Sequence, residues 1–441
     1  MRTRTAGQVG AGGSARRLPG ASGPLLCLLS LLGILLLTLL PAEGGPAQAV
    51  GGTWMSTGAL GTARTNAAAT ILFSGKVLVT GGQGTAGALA SAELYDPTAG
   101  TWSATGSMAT ARIFASATLL LSGKVLVAGG EDATGTPLKG AELYDPSAGS
   151  WSPTGSMLTG RYLHAAALLA NGKVLVVGGY YSGAGKAEQY DPSTGTWSAV
   201  ASPLTAADAP AALVLGSQSG GQAGKLLLVG GYGLTGCCLR NAELLDGTGW
   251  HTTGSLVTAR AFNTMTYLTS NGKVLVAGGR TDQSGTAGVT NSAEVWDPST
   301  GTWSATATTM TAARAYHTAT ALSGGQVLVA GGVNGCGATG CSALASAELY
   351  DPTTNAWTAT GSMNTARAGA VAVRLASGPN SGDVLVAGGG GNGTVALASA
   401  ELYVPPSALS ATSRVRAHST PVHPPCRPTH KTSSRTRCPH R

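Results

Sequence analysis

The amino-acid sequence predicts an all-β protein folded as a β-propeller of seven blades. A double glycine ends a short apolar run seven times, as in GKVLVAGG from Gly123 to Gly130. The first glycines of successive pairs are 48 to 57 residues apart, and a period of roughly 50 residues is typical of a propeller blade. These first glycines are Gly81, Gly129, Gly178, Gly230, Gly278, Gly331 and Gly388.

Residues 1–49 have the features of a secretory signal peptide. Four arginines precede an uncharged apolar run, Pro24 to Pro41, and Ala47 and Ala49 form a small-residue cleavage pattern before Val50. We therefore expect the mature chain to begin near Val50 and to be secreted or extracytoplasmic. The alternative is an uncleaved membrane anchor, because the apolar run is only slightly shorter than a membrane span.

Residues 50–405 are predicted to form the propeller, with four short strands in each blade. The first strand follows a recurring arginine, as in RIFASATLLL from Arg112. The second is the KVLVAGG run, whose consecutive apolar residues indicate a strand covered on both faces. The third is AELYDP, as at Ala141 to Pro146, and proline ends it. The fourth opens with tryptophan, as in TWSATGSM from Thr101.

The two ends of this repeat complement each other. The last copy, Ser399 to Pro405, is followed by no tryptophan strand, and the first tryptophan strand, at Trp54, is preceded by no other three. We therefore expect the N-terminal strand to complete the seventh blade and close the ring. Closure leaves only short protected strand edges.

The pattern of double glycine, downstream tyrosine and later tryptophan resembles the kelch-repeat family over residues 50–405. The resemblance implies a seven-bladed β-propeller and, more distantly, a likeness to the propeller of galactose-oxidase-like proteins. Kelch propellers include both enzymes and binding scaffolds, so the resemblance leaves the activity open. Blade 4 departs most, since it lacks Tyr-Asp-Pro and has Asp208 near the place of the arginine.

Residues 406–441 are predicted to form a disordered basic tail rich in Ser, Thr and Pro. The chain has a formal net charge of +8, but four of its 27 basic residues lie in 1–49 and seven in 407–441. The propeller then has 16 basic and 18 acidic residues. A nucleic-acid partner is disfavoured, because binding phosphates requires positive charge on the folded surface.

Most ionisable residues of the propeller are repeated, and a catalytic group is needed only once. One arginine position recurs six times and one glutamate position seven times, which favours a structural role in hydrogen bonding between strands or blades. The arginines are Arg64, Arg112, Arg161, Arg260, Arg314 and Arg367. The glutamates are Glu93, Glu142, Glu188, Glu243, Glu294, Glu348 and Glu401.

Three positions after the repeated arginine, the other clear copies have a small residue. Two copies have histidine there instead, His164 and His317. They lie in blades nearly opposite each other, so a shared metal is disfavoured. Tyr316-His317 resembles the Tyr-His pair that ligates copper in galactose-oxidase-like enzymes. That resemblance implies a copper radical oxidase as the alternative function, but the cross-linked cysteine and the further histidine of that site are missing from the pattern. We expect no cofactor and no metal.

Removing the signal peptide leaves six cysteines in a chain expected to be exported, where disulfides persist. Cys336 and Cys341, in NGCGATGCS, are predicted to staple one loop. Cys237 and Cys238 are adjacent in the blade-4 loop, and the sequence leaves their partners open.

The loops between second and third strands vary in length and lie on the face where the first strand begins. The loops between first and second strands and between third and fourth strands are short and nearly uniform. Function is most often carried by variable loops on a rigid scaffold. We therefore predict a non-catalytic scaffold that binds an extracellular glycan or protein through blades 3 to 6. The predicted ligand-binding residues are Tyr162, His164, Tyr180, Tyr181, Tyr232, Arg280, Asp282, Tyr316, His317 and Asn334.

Overall fold

The structure is a computed structural model. It describes residues 51–180, 185–233, 238–282, 288–337, 340–391 and 395–406, without the side chains of 336, 337, 340 and 341. The predicted signal peptide, the tail beyond residue 406, Tyr181 and Cys237 lie outside the described residues. No helix in the described part of the chain is both long enough and apolar enough to cross a membrane.

Seven four-stranded antiparallel sheets form the blades. From the innermost to the outermost strand, blades 1 to 4 consist of Ala68–Ile71, Val77–Thr80, Ala92–Asp96 and Thr101–Thr105; Ser116–Leu119, Val125–Ala128, Ala141–Asp145 and Ser150–Thr154; Ala165–Leu168, Val174–Val177, Ala187–Asp191 and Thr196–Val200; and Ala211–Val214, Leu226–Val229, Ala242–Asp246 and Gly249–Thr252. In the same order, blades 5 to 7 consist of Thr264–Tyr267, Val274–Ala277, Ala293–Asp297 and Thr302–Ala305; Thr318–Ala321, Val327–Ala330, Ala347–Asp351 and Ala356–Ala359; and Val371–Arg374, Val384–Ala387, Ala400–Val404 and Thr53–Ser56.

In the described residues, the loops contain short two-stranded pairings and one 3₁₀ turn. The pairings are Gln83–Gly84 with Gly87–Ala88, Ala207–Asp208 with Tyr232–Gly233, and Val333–Gly337 with Gly340–Ala343. The 3₁₀ turn is Ser217–Gln222, in the loop between the first and second strands of blade 4. That loop is longer than the corresponding turns of blades 1 to 3, 5 and 6.

The ring closes as predicted. The innermost strand of each blade contacts the innermost strands of both neighbours, and that of blade 7 contacts that of blade 1. Strand Thr53–Ser56 pairs with Ala400–Val404, which places Trp54 opposite Tyr403 with ring centroids 5.2 Å apart. Trp54 Nε1 donates to Gly361 O at 2.7 Å, across 307 positions of sequence. The seventh blade is thus built from both ends of the propeller segment.

The hydrophobic core is divided among the blade interfaces. Val77, Val125, Val174, Val274 and their counterparts on the other second strands are almost fully buried, because both faces of each blade are covered. Among the described residues, seven apolar clusters each combine side chains from two adjacent blades, one cluster per interface. No blade therefore encloses a core of its own, as expected for a stacked repeat.

The repeated arginine and glutamate form a buried ion pair in six blades, as their repetition predicts. In blade 5, Arg260 Nη2 donates to Glu294 Oε1 at 2.7 Å, and Nη1 donates to Gly278 O at 2.8 Å. Glu294 also accepts the backbone N–H groups of Val257 and Thr258. The pair ties the segment that enters each blade to the second and third strands of that blade.

Blade 4 has no arginine at this position, and the structure corrects the sequence register there. Ala207, not Asp208, occupies the place of the arginine, because Asp208 pairs with Tyr232 as Tyr162 pairs with Tyr180 in blade 3. Glu243 is nevertheless buried and accepts the backbone N–H groups of Leu204 and Thr205.

Candidate site at the mouth of the central channel

Each double glycine positions the residue that follows it at the mouth of the central channel. In blade 5, a Cβ on Gly278 would lie 2.4 Å from Arg314 O, and a Cβ on Gly279 would lie 2.7 Å from Ala261 O. Both glycines have positive φ, which residues with a side chain rarely adopt. This close approach lets Gly279 N–H donate to Arg314 O at 2.8 Å and turns the next residue, Arg280, towards the mouth.

The residue after each double glycine pairs with the segment that enters the same blade. Arg280 N–H donates to Ala261 O at 2.7 Å, and Ala261 N–H donates to Arg280 O at 2.9 Å. Seven such pairings surround the mouth. We call the residues that follow the double glycines the mouth ring: Gln83, Glu131, Tyr180, Tyr232, Arg280, Val333 and Gly390.

A second ring of residues with positive φ lies beside the first. Bulky Phe114, Leu163, Phe262 and Tyr316 adopt this conformation at equivalent positions, and positive φ is a strained geometry for such side chains. Backbone hydrogen bonds between blades hold it, for example from Tyr316 N–H to Phe262 O at 3.4 Å. Five such bonds run from blade to blade around the channel, and none of the described residues makes the two that would join blade 4 to its neighbours.

Aromatic side chains from these two rings, together with Tyr162, which pairs with Tyr180, gather over blades 2 to 6. Tyr162 and Tyr180 stack with centroids 5.4 Å apart, and Phe262 stacks on Tyr316 at 4.4 Å. Tyr232 meets Phe262 edge to face at 5.4 Å. The rings line a cavity of about 340 Å³, together with Leu163 and Arg280. The tyrosines were predicted from the sequence as site residues, whereas Phe114 and Phe262 were not.

Arg280 and Tyr316 lie between this cavity and a second one of about 510 Å³. The second cavity extends over blades 1, 6 and 7 and is lined mainly by small and polar residues, among them Thr65, Asn66 and Gln83. The Arg280 side chain is 14% exposed, and its Nη2 lies 4.0 Å from Asp282 Oδ1. The mouth thus has an aromatic half and a polar half, with one cationic side chain between them.

Two tyrosines of the mouth, Tyr232 and Tyr316, are protonated hydrogen-bond donors at neutral pH. Burial raises the pKa of the Tyr316 phenol, and the nearby positive charge of Arg280 offsets this in part. Burial also raises the pKa of Tyr232. Asp208, beside Tyr232, has its pKa raised to about 6 by burial. The sequence did not predict this carboxyl group beside Tyr232, because blade 4 lacks the arginine that identifies the equivalent positions in the other blades.

The two histidines lie below the mouth and bridge neighbouring blades. His164 Nε2 is 2.9 Å from Ser116 Oγ of blade 2, and His317 Nε2 is 2.9 Å from Thr264 Oγ1 of blade 5. Burial lowers the pKa of both imidazoles to about 3, so both are neutral. Neither lines the two cavities. Their geometry serves packing between blades.

The remaining predicted site residues are more dispersed. Asp282 is half-buried beside Arg280, and Asn334 is exposed on the blade-6 hairpin. Cys336 and Cys341 are backbone partners in that hairpin. Cys238 is buried and donates its S–H to Arg280 O at 3.1 Å, so the blade-4 loop supports the backbone of the mouth ring at blade 5.

The residues around Tyr316 and His317 do not fit a copper centre. The Tyr316 ring lines both cavities, whereas His317 is buried with its Nε2 beside Thr264. Within the described ranges, no group of three His, Cys, Asp or Glu side chains lies close enough together to hold a metal ion. We derive no chemical step through copper.

Comparison with known proteins places the chain by family and by fold. The family model described as the Kelch motif matches residues 64–109, 116–158, 161–204, 263–310 and 314–364, more than half of the chain. Most of blade 4 lies between two matches. No curated protein matches the sequence.

Two solved structures share the fold. One is described as a novel fungal alcohol oxidase of the AA5 family in complex with copper; it is 20% identical over 81% of this chain and 76% of its own, with a TM-score of 0.62. The other, described as the structure of YjhT, is 18% identical over 69% of this chain and 99% of its own, with a TM-score of 0.53. At these identities the likeness shows the propeller fold alone.

Proposed function

Because this chain belongs to the kelch-motif family of β-propellers, we propose that it is a binding scaffold that holds a glycan at the channel mouth. The observation that carries the proposal is the pair of adjoining cavities that share Arg280 and Tyr316. Flat aromatic faces pack against the apolar faces of sugar rings, and phenol hydroxyls and a guanidinium supply hydrogen bonds to their hydroxyl groups.

A concave site favours a glycan over a protein partner. The cavities of about 340 and 510 Å³ lie within the range for small-ligand sites. A protein ligand through the same surface is the second candidate from the sequence, and it would use exposed loop residues such as Asn334. The aromatic rings instead lie inside the mouth, where a sugar unit reaches them and a broad protein surface does not.

A glycan array with the propeller, followed by calorimetry with the best ligand, tests this proposal. Tyr180→Ala and Arg280→Ala should each weaken binding by about 1–2 kcal/mol and leave the folded state intact by circular dichroism. Thr98→Ala is the matched control, because Thr98 is exposed in a turn at the opposite end of the blades. Binding that is lost with Thr98→Ala and kept with Tyr180→Ala would place the site on the other face.

A copper radical oxidase is the alternative that the fold brings forward, since one similar structure is an alcohol oxidase with copper. We do not adopt it, because Tyr316 and His317 point to different environments.

We also propose that the protein is exported, with residues 1–49 removed as a signal peptide, and that Cys336 and Cys341 form a disulfide. N-terminal sequencing of exported protein should give a sequence that begins near Val50, whereas a retained Met1 would refute cleavage.

Mass spectrometry of a proteolytic digest under non-reducing conditions tests the proposed disulfide and should find Cys336 and Cys341 linked. Reduction of that peptide should then add two mass units.

A further inference from the structure

The interface between blades 3 and 4 differs from the other six in the part of the blade farthest from the mouth. In each of the six blades other than blade 4, the third strand carries a fully buried aromatic side chain at one position. These residues are Tyr95, Tyr144, Tyr190, Trp296, Tyr350 and Tyr403, each at most 1% exposed. Blade 4 has Leu245 there, and Leu245 is half-buried.

The partner of this aromatic residue has changed as well. In five blades the aromatic residue hydrogen-bonds a threonine of the preceding blade, as Tyr190 OH does with Thr154 Oγ1 at 2.7 Å. Blade 3 precedes blade 4, and its equivalent threonine is replaced by Val200. A ring and its hydroxyl partner have thus been exchanged for two aliphatic side chains, of which the leucine is smaller than the ring.

A cleft of about 750 Å³ lies where these two side chains face each other. Leu169, Leu175, Val200, Leu226 and Leu245 form its apolar lining. Polar groups are also part of the lining, including Gln189 and a Lys225–Asp246 ion pair at 3.2 Å. The volume lies within the range for small-molecule sites, which are mostly apolar with a few polar groups.

The backbone at this interface is also less tightly joined. At the other six interfaces, the second glycine of the pair donates its N–H to the carbonyl group of the next blade's arginine; in the described chain no such bond joins Gly179 to Ala207. Trp250 Nε1 still donates to Ala201 O at 2.8 Å, and the apolar cluster between these blades is intact. The missing bond lies at the mouth end of this interface, whereas the cleft lies at the opposite end.

We propose that this cleft binds a small aromatic molecule, whose ring occupies the space that a tyrosine or tryptophan fills at the other interfaces. The other blades show that the fold accepts an aromatic ring at this depth. Val200 in place of threonine removes the hydrogen-bond partner, so the ring that fits best has an apolar edge facing Val200. A polar substituent then lies towards Gln189 of blade 3 and Lys225 of blade 4. The site is separate from the channel mouth and does not depend on the glycan proposal.

Titration of the full chain with indole, followed by NMR of leucine and valine methyl groups, tests this inference. Saturable shifts should appear at Leu169, Leu175, Val200 and Leu245, with a dissociation constant of roughly a millimolar for so small a probe. The methyl groups of Leu163 and Val333, at the mouth, should not move. Shifts confined to the mouth, or no saturable shift in the cleft, would overturn the inference.

Variants that fill the cleft sharpen the test. Leu245→Tyr with Val200→Thr restores the pair found in other blades and should lower indole affinity at least tenfold. Val200→Phe fills the cleft from the opposite wall and should also lower indole affinity at least tenfold. It keeps the test possible if the first variant folds poorly. Leu158→Tyr is the matched control, since Leu158 is exposed elsewhere on blade 3. Unchanged indole affinity in a folded cleft-filling variant would refute the site.

Discussion

Replacing Arg260 by alanine tests whether the buried ion pairs hold the blades in place. The guanidinium donates to Gly278 O, Ser292 O, Ser292 Oγ and Glu294 Oε1, and its removal leaves Glu294 buried without a cation. Removing one partner of a buried pair costs about 3–5 kcal/mol, because the remaining charge has lost its compensation. We expect Arg260→Ala to lower the free energy of unfolding by about that amount.

A second variant separates the uncompensated charge from the lost packing of the arginine. Arg260→Ala combined with Glu294→Gln keeps an acceptor for the backbone N–H groups of Val257 and Thr258 and buries no charge. The double variant should therefore be more stable than Arg260→Ala alone.

Urea unfolding followed by tryptophan fluorescence measures these effects. Arg240→Ala is the control, since Arg240 is exposed and should change stability by less than about 0.5 kcal/mol. A loss below about 1 kcal/mol for Arg260→Ala, or a loss that is equally large in the double variant, would show that the pair does not hold the blade.

Three further outcomes follow from the structure. Deleting Thr53–Ser56 should leave the edge of Ala400–Val404 unpaired and cause aggregation or a large fall in Tm, and a variant that melts like the parent would contradict closure by this strand. Asp383→Asn should raise the Tm at pH 7.5, because burial raises the pKa of Asp383 to about 6 and so penalises its charged form in the folded state. This penalty is present above pH 6 and fades as the pH falls towards 4. A gain in Tm that persists at pH 4 would refute burial as the cause. Purified protein exposed to copper should retain none stoichiometrically by elemental analysis, whereas one copper per chain, lost in His317→Ala, would revive the oxidase alternative.

The fold was predictable because its determinants are periodic. Each double glycine, Tyr-Asp-Pro and tryptophan recurs at a spacing that only a ring of like units explains, and the incomplete copies at the two ends specify how Trp54 joins Tyr403. Closure is a long-range contact, yet it follows from counting strands. The repetition of arginine and glutamate likewise separated structural charges from candidate functional ones.

The site was predicted only in part, because the direction of its side chains depends on a backbone conformation that the sequence does not mark. Phe114, Phe262 and Tyr316 lie at the mouth through positive φ, which bulky residues rarely adopt. His317 was expected to line the site together with Tyr316. The positive φ of Tyr316 bends the backbone there, so the two adjacent side chains have different surroundings. In blade 4, nothing in the sequence shows whether Ala207 or Asp208 takes the arginine position.

Closure of the seventh blade also sets the order in which the molecule can be completed. Thr53–Ser56 emerges from the ribosome before any other strand of the propeller, yet its partner, Ala400–Val404, is among the last segments to be made. Contacts between segments so far apart in sequence form slowly, because a long loop must be closed first. Until then both strands present open edges to other chains. Export, which we propose for this chain, would postpone that pairing further in any route that carries the chain across the membrane unfolded, until the whole propeller segment has been delivered.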